Sequence, residues 1–152
     1  MSDSNQLLVR RIRNGTVIDH IQYGRAMFVL RALNITGKEG NVVTVALNVP
    51  SSKHKKKDII KVENRFLEKD ETNKLALIAP HATINIIREY RLVEKRKIVL
   101  PDSIVGIFGC PNLNCVTNSE DIKSTIDVID KTKIVMKCRY CGRALTVNEL
   151  VS

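Results

Sequence analysis

The sequence is poor in aromatic residues and contains no long apolar run. Aromatic side chains make up 4% of the 152 residues, and tryptophan is absent, which leaves few rings for stacking on nucleobases. No segment approaches the roughly 18 uninterrupted apolar residues that a membrane-spanning helix needs. The N-terminal stretch MSDSNQLLVRR also lacks the apolar core of a secretion signal. We therefore expect a cytoplasmic protein with no membrane partner.

Familiar catalytic motifs are missing as well. The chain contains no GxSxG, no phosphate-binding P-loop and no HExxH. The stretch GTVIDHI suggests acid–base chemistry, because Asp19 directly precedes His20. Neighbouring side chains of an extended strand point to opposite faces, so we expect these two not to form a dyad. His54, within a lysine run, and His81, after the proline of a turn, are equally poor general bases. The sequence thus predicts a binding protein rather than an enzyme.

The first hundred residues alternate between strand and helix patterns. β-branched runs predict strands over Gly15 to Ile21, Asn41 to Val49 and DIIKVENRF. Apolar spacings of three and four predict a helix through IQYGRAMFVLRALNI, and LEKDETNKLALIA predicts a second helix that ends at Pro80. ATINIIREYRLVEKRKIVL predicts one bent strand or two. The order β-α-β-β-α-β is typical of a ferredoxin-like antiparallel sheet covered by two helices, so the predicted fold class is α+β.

This pattern stops at Leu100-Pro101, and all the cysteines lie beyond it. We therefore expect two domains, residues 1–100 and residues 101–152. A module of about fifty residues rarely buries enough apolar area to fold without a staple. The second domain is accordingly expected to be small, β-rich and held together by its cysteines.

The four cysteines form two close pairs, Cys110 with Cys115 and Cys138 with Cys141. This spacing suits a tetrahedral four-cysteine zinc site between two β-knuckles. Four protein ligands fill the tetrahedron and leave no place for a substrate, so the Zn2+ would be structural. Two disulfides and buried free thiols are weaker alternatives, and a redox CxxC in the second pair would leave the first pair without a role.

Basic residues outnumber acidic ones. Twenty-five Lys and Arg stand against sixteen Asp and Glu, for a formal net charge of +9. Such a field attracts phosphates, nucleic acids or an acidic protein surface without choosing among them. One alternative is therefore a basic zinc-ribbon protein that binds nucleic acid through Lys53 to Lys57 and Lys95 to Lys97. That alternative explains the charge but not the shortage of stacking aromatics.

Several motifs together resemble the regulatory chain of aspartate carbamoyltransferase. In order they are GTVIDHI, LNVPS, KKDIIKVEN, LALIAPHATINIIREY, the LP boundary, CPNLNC and CRYC. The match extends over nearly the whole chain with similar spacing, which is far more specific than a four-cysteine site alone. The resemblance implies an allosteric N-terminal domain that binds nucleoside triphosphates, a C-terminal zinc domain that contacts a separate catalytic chain, and no catalytic residues.

The same resemblance implies the partners. In the family, three regulatory homodimers join two catalytic trimers into a dodecamer. CTP typically inhibits and ATP activates at one site, and UTP with Mg2+ is a further candidate effector. The reaction, carbamoyl transfer to aspartate at the start of pyrimidine synthesis, occurs on the catalytic chain. Neither nucleic acid nor membrane is an expected partner.

Carried over position by position, the resemblance also implies site residues. Arg11 and Ile12 would lie beside the base, Asp19 on the ribose, and His20 and Lys95 at the triphosphate. The full set of implied nucleotide contacts is Arg11, Ile12, Val17, Asp19, His20, Lys61, Asn85, Tyr90, Leu92 and Lys95.

Two further positions match the catalytic-chain interface of the family. They are Asn112 and Asn114, in the first cysteine knuckle. Short amides can bridge backbone groups of a partner, and they can equally form the turn of the knuckle itself. Both roles stay open at the level of sequence.

Overall fold

The computed structural model describes residues 11–52 and 55–151. The chain divides into two compact units, one ending at Val99 and the other beginning at Leu100. Position 54 of the basic run, like position 53, falls outside the described residues. In the described ranges no helix is long and apolar enough to cross a membrane.

The first unit is built on a five-stranded antiparallel sheet. The strand order is β2-β3-β1-β4-β5, and its first four members follow the predicted ferredoxin-like order. The last predicted strand is indeed two strands, β4 and β5. The elements are β1 (Gly15–Gln22), α1 (Ala26–Ala32), β2 (Val43–Pro50), β3 (Lys56–Glu63), α2 (Lys69–Lys74), β4 (Thr83–Arg88) and β5 (Arg91–Lys97).

Alternate residues of the central strands form the core of this unit. Ile18 of β1 pairs with Ile60 of β3 and Ile84 of β4, and all three are fully buried. Burying each such side chain contributes roughly 1.5–3 kcal/mol. Because strand side chains alternate between faces, the residues between these isoleucines face the opposite side of the sheet. This opposite side of the sheet, which carries the residues between the buried isoleucines, is the open face.

Both helices of this unit are shorter than predicted. The second helix was expected to continue to Pro80, but α2 ends at Lys74. The five residues 75–79 that follow are all buried, so they cannot form the one-sided apolar stripe of a surface helix. They fold into tight turns instead, with the Ile78 N–H donating to the Leu75 carbonyl at 3.1 Å.

The second unit is small and β-rich, as expected. Its antiparallel sheet has the order β6-β7-β8-β9, and each of its helices is a single short turn. The elements are β6 (Ser103–Val105), α3 (Val116–Ser119), β7 (Thr125–Asp130), β8 (Val135–Cys138), β9 (Ala144–Leu145) and α4 (Val147–Val151). The α+β class, with antiparallel sheets and few helices, is confirmed.

Candidate nucleotide-binding face and metal centre

Four of the implied nucleotide contacts form one row across the open face of the first sheet. Val17 of β1 pairs with Lys61 of β3 on one side and with Asn85 of β4 on the other. Asn85 in turn pairs with Lys95 of β5. Neighbouring strands lie about 4.8 Å apart, so the row spans roughly 14 Å. Residues far apart in sequence are therefore brought side by side by strand pairing.

One end of this face lies at the turn between β4 and β5. Glu89 and Tyr90 form that turn, both with positive φ. Two contacts hold it against the segment before β1: the Tyr90 N–H donates to the Arg13 carbonyl at 2.9 Å, and the Arg11 guanidinium donates to the Tyr90 carbonyl at 3.4 Å. Tyr90 and Leu92 are exposed, whereas Ile12 is buried. A ligand at this end could therefore meet the Tyr90 ring and the Arg11 cation, but not the Ile12 side chain.

The expectation that Asp19 and His20 point to opposite faces was wrong. The pairing of β1 with β3 shifts between Ile18 and Ile21, and His20 has a φ of 57°. This β-bulge breaks the alternation of the strand and brings His20 Nδ1 to 4.0 Å from Asp19 Oδ2. That distance exceeds hydrogen-bond reach, and the Thr83 hydroxyl is nearer to Nδ1, at 3.3 Å. The pair lies close together without forming a proton relay.

Three residues of this face are absent from the set of implied nucleotide contacts: Lys57, Thr83 and Lys97. The Lys57 ammonium forms an ion pair with Asp19 Oδ1 at 3.0 Å, and Thr83 pairs with both Asp19 and Lys97. Lys57 is four residues from Lys61 on the same strand, so strand alternation alone puts both lysines on one face. The open face thus carries more positive charge than the implied set suggests.

Lys61 is the most buried cation of the face, at 8% exposed. Burial lowers the pKa of its ammonium group, and the Arg11 charge lowers it further, while the Asp19 carboxylate partly offsets both effects. An anion placed beside Lys61 would stabilise the charged ammonium group and so offset the effects of burial and of the Arg11 charge. Electrostatically, the face is prepared for a negatively charged ligand.

The four cysteine sulfurs of the second unit lie within 4.8 Å of one another. Sγ of Cys110 is 3.7 Å from Sγ of Cys141, and Sγ of Cys115 is 3.7 Å from that of Cys138. Zn–S bonds of about 2.3 Å in a tetrahedron would separate the sulfurs by about 3.8 Å, whereas a disulfide needs about 2.05 Å. The cluster is positioned to hold a metal ion, and its geometry excludes the disulfide alternative.

The protonation of these thiols is set by their surroundings. Burial raises the pKa of the Cys110 thiol to about 12, whereas the Arg143 backbone N–H, donated to sulfur, lowers the pKa of Cys141 to about 6. The Thr117 hydroxyl and backbone N–H lower the pKa of Cys115. Gly142, with a φ of 74°, makes the tight turn that presents the Arg143 N–H. Because four thiolates are the binding form, metal uptake would release protons.

The first knuckle places an apolar residue at its tip. Asn112 Oδ1 accepts a hydrogen bond from the Asn114 N–H at 3.1 Å, so Asn112 does form the turn. Asn118 braces the loop by donating to the Cys110 and Asn112 carbonyls. Leu113, between the two asparagines, is 87% exposed. The tip is therefore a rigid loop with an apolar side chain directed away from its own unit.

Comparison with known proteins covers both units. The family "Aspartate carbamoyltransferase regulatory chain, allosteric domain" matches residues 7–99, and the "metal binding domain" of the same chain matches residues 102–151. The chain is 61% identical over 149 residues to the aspartate carbamoyltransferase regulatory chain of Nitrosopumilus maritimus, covering 97% of each. It is 60% identical to that of Cenarchaeum symbiosum over 96% of each. It is 47% identical to that of Hyperthermus butylicus, over 99% of this chain and 95% of the relative. These matches favour the regulatory-chain interpretation over the nucleic-acid-binding alternative.

Proposed function

The chain belongs to the aspartate carbamoyltransferase regulatory-chain family, and on this premise we propose that its first unit binds CTP and ATP on the open face of the five-stranded sheet. It is a non-catalytic subunit whose partner is the catalytic chain. The observation that carries the proposal is the cross-sheet row formed by Lys61, Val17, Asn85 and Lys95. That row combines two cations, an amide and apolar surface, which are the groups that a nucleotide requires.

The order of the groups along β1 supports one orientation of the nucleotide. The Tyr90 turn, with its ring and exposed backbone, suits the base, and Asp19, further along the strand, suits the hydroxyls of the ribose. His20 and Lys97 lie toward the other end, and Lys95 lies level with Val17 on the outer strand β5. All three suit the phosphates, because charge-assisted hydrogen bonds to phosphate are strong. UTP with Mg2+ is a further candidate effector at this face.

We assign the metal as a single structural zinc ion. Four thiolate ligands at tetrahedral separations are typical of zinc, and the second unit is too small to hold its fold by burial alone. Binding at such sites stabilises small domains by roughly 10–16 kcal/mol. In our account the zinc holds the knuckles that contact the catalytic chain, with Leu113 and Asn114 at the interface.

The same account assigns the assembly. Regulatory homodimers would join two catalytic trimers in the cytoplasm and so control the first committed steps of pyrimidine synthesis. Two surfaces support these contacts: the exposed knuckle tip, and strand β2, which is an edge of its sheet. Val45 and Leu47 of β2 are exposed apolar residues, and an edge strand of this composition suits pairing with a second copy.

Calorimetric titration of the zinc-loaded chain tests the nucleotide site. We expect saturable one-site binding of CTP and ATP and negligible binding of an RNA oligomer. Lys95→Ala should weaken triphosphates by roughly ten-fold or more, because it removes a charged hydrogen-bond donor. Lys38→Ala, at an exposed lysine of another loop, is the matched control and should bind as wild type. Stronger binding of RNA than of nucleotides would overturn the proposal.

A further inference from the structure

A pocket of roughly 260 Å³ lies beyond His20, at the far end of strand β1. None of the residues of the cross-sheet row lines it, although His20, which does, is also one of the implied nucleotide contacts. Among the residues that the structure describes, the lining contains two histidines, two lysines and no carboxylate: His20, Ile21, Gln22, Tyr23, Lys55, Lys56, Pro80 and His81. Its volume is just below the range of about 300–1,000 Å³ typical of sites for drug-sized ligands. The pocket therefore suits a small anion rather than a second nucleotide.

His81 occupies a backbone position that normally favours glycine. The Ala82 N–H donates to the Ala79 carbonyl at 3.2 Å, which closes a β-turn with Pro80 in its second position. His81 follows with a φ of 75°, as the third residue of a type II turn, where glycine or asparagine is usual. An exposed imidazole at this position is conformationally costly, and residues held in this way cluster at binding sites. The turn thus holds the exposed His81 imidazole as part of the pocket lining.

His20, which also lines the pocket, has the same kind of backbone conformation as His81. His20 is also left-handed, at the bulge of β1, and its ring is fixed by contact with the Thr83 hydroxyl. Lys57 pairs with Asp19, on the open face. By contrast, Lys55 and Lys56 form no ion pair with any residue that the structure describes. Two cations and two imidazoles therefore border the same space.

We propose that this pocket binds a phosphate-class oxyanion, held by the Lys55 and Lys56 ammonium groups and by ring N–H groups of His20 and His81. An imidazole can donate a hydrogen bond in either protonation state. The oxyanion has two possible sources, the terminal phosphate of a nucleoside triphosphate on the open face or free inorganic phosphate. The first source rests on the function proposed above, and the second does not.

The test titrates the full zinc-loaded chain with inorganic phosphate, by calorimetry and 31P NMR. Two variants remove one donor each: Lys56→Gln, and His81→Asn, since asparagine keeps the left-handed turn. Lys38→Gln is the matched control for the loss of a lysine charge. We expect saturable phosphate binding by wild type and the control, and at least about five-fold weaker binding by both pocket variants, as for the loss of one charged hydrogen bond. Thermal unfolding establishes that both variants are folded.

Titration of CTP and CMP separates the two sources. If the terminal phosphate occupies the pocket, CTP excludes inorganic phosphate, and the variants lose affinity for CTP but not for CMP. If the source is free phosphate, it binds alongside CTP. The proposal is overturned if wild type binds no phosphate and both variants bind CTP normally. If CMP still binds in that case, the proposed function stands without the phosphate pocket. If instead the wild type binds phosphate but no nucleotide, only the function proposed above is overturned.

Discussion

Asp58 provides the sharpest test of how the fold positions the proposed nucleotide face. Its carboxylate is 1% exposed and accepts three backbone N–H groups. Oδ2 accepts from Gly24 at 3.1 Å and from Ala26 at 3.4 Å, while Oδ1 accepts from Asn48 at 3.0 Å. One side chain thus holds the turn that follows the His20 bulge and also the bulge of β2, where Asn48 has a φ of 58°.

The cost of removing this carboxylate follows from those distances. Hydrogen bonds to a charged group contribute about 1.5–3 kcal/mol each, so the two shorter bonds predict a loss of about 3–6 kcal/mol for Asp58→Ala. That loss is a large part of the ~5–15 kcal/mol stability of a typical domain. Asp58→Asn should also destabilise, because an amide offers one oxygen and one NH2 group, whereas both faces of the side chain meet N–H donors.

Urea unfolding of the zinc-loaded chain, followed by circular dichroism, measures these losses. Amide hydrogen exchange at Gly24 and Asn48 should accelerate in both variants, since these N–H groups lose their acceptor. Asp70→Asn, at an exposed carboxylate of α2, is the control and should cost under about 1 kcal/mol. If Asp58→Asn unfolded within about 0.5 kcal/mol of wild type, with unchanged exchange, the argument would be refuted.

Three further perturbations follow from the same structure. Gly15→Ala should cost at least ~3 kcal/mol or prevent folding, because its Cβ would lie 2.1 Å from the Val62 carbonyl oxygen at a φ of 144°; a soluble variant with an unshifted urea midpoint would contradict this. Thr16→Val should cost ~1–3 kcal/mol in the same assay, since the buried hydroxyl donates to the Arg65 carbonyl and accepts from the Leu67 N–H; no loss would contradict the role of that hydroxyl. Chelation of the metal should unfold the second unit while nucleotide still binds the first, as circular dichroism and calorimetry would report; an intact second unit after complete metal removal would contradict a structural metal.

The sequence predicted best what covalent spacing and alternation determine. Two cysteines separated by a short loop bring their sulfurs together whatever surrounds them, so the metal cluster could be inferred directly. The β-branched runs of β1, β3 and β4 likewise predicted strands where the structure has them. Both patterns lie within short segments of the chain, so they can be read without knowing the tertiary contacts.

Features that depend on contacts between distant segments could not be predicted. The bulge at Asp19 and His20 arises from the pairing of β1 with β3, and no residue in GTVIDHI predicts it. Asp58 follows three lysines and reads as the end of a solvated loop, although it is buried. His81 follows a proline, which predicts a turn, but the left-handed conformation is expected of glycine and not of histidine.

The most direct test of the account is reconstitution of the zinc-loaded chain with catalytic trimers from an archaeal relative. Carbamoyl transfer would be measured at sub-saturating aspartate, with and without CTP or ATP, beside the Lys95→Ala variant. The account predicts that assembly survives in both proteins, that nucleotides change the activity of the wild-type assembly, and that the variant loses this response. An assembled complex that binds nucleotide without any change in activity would contradict it.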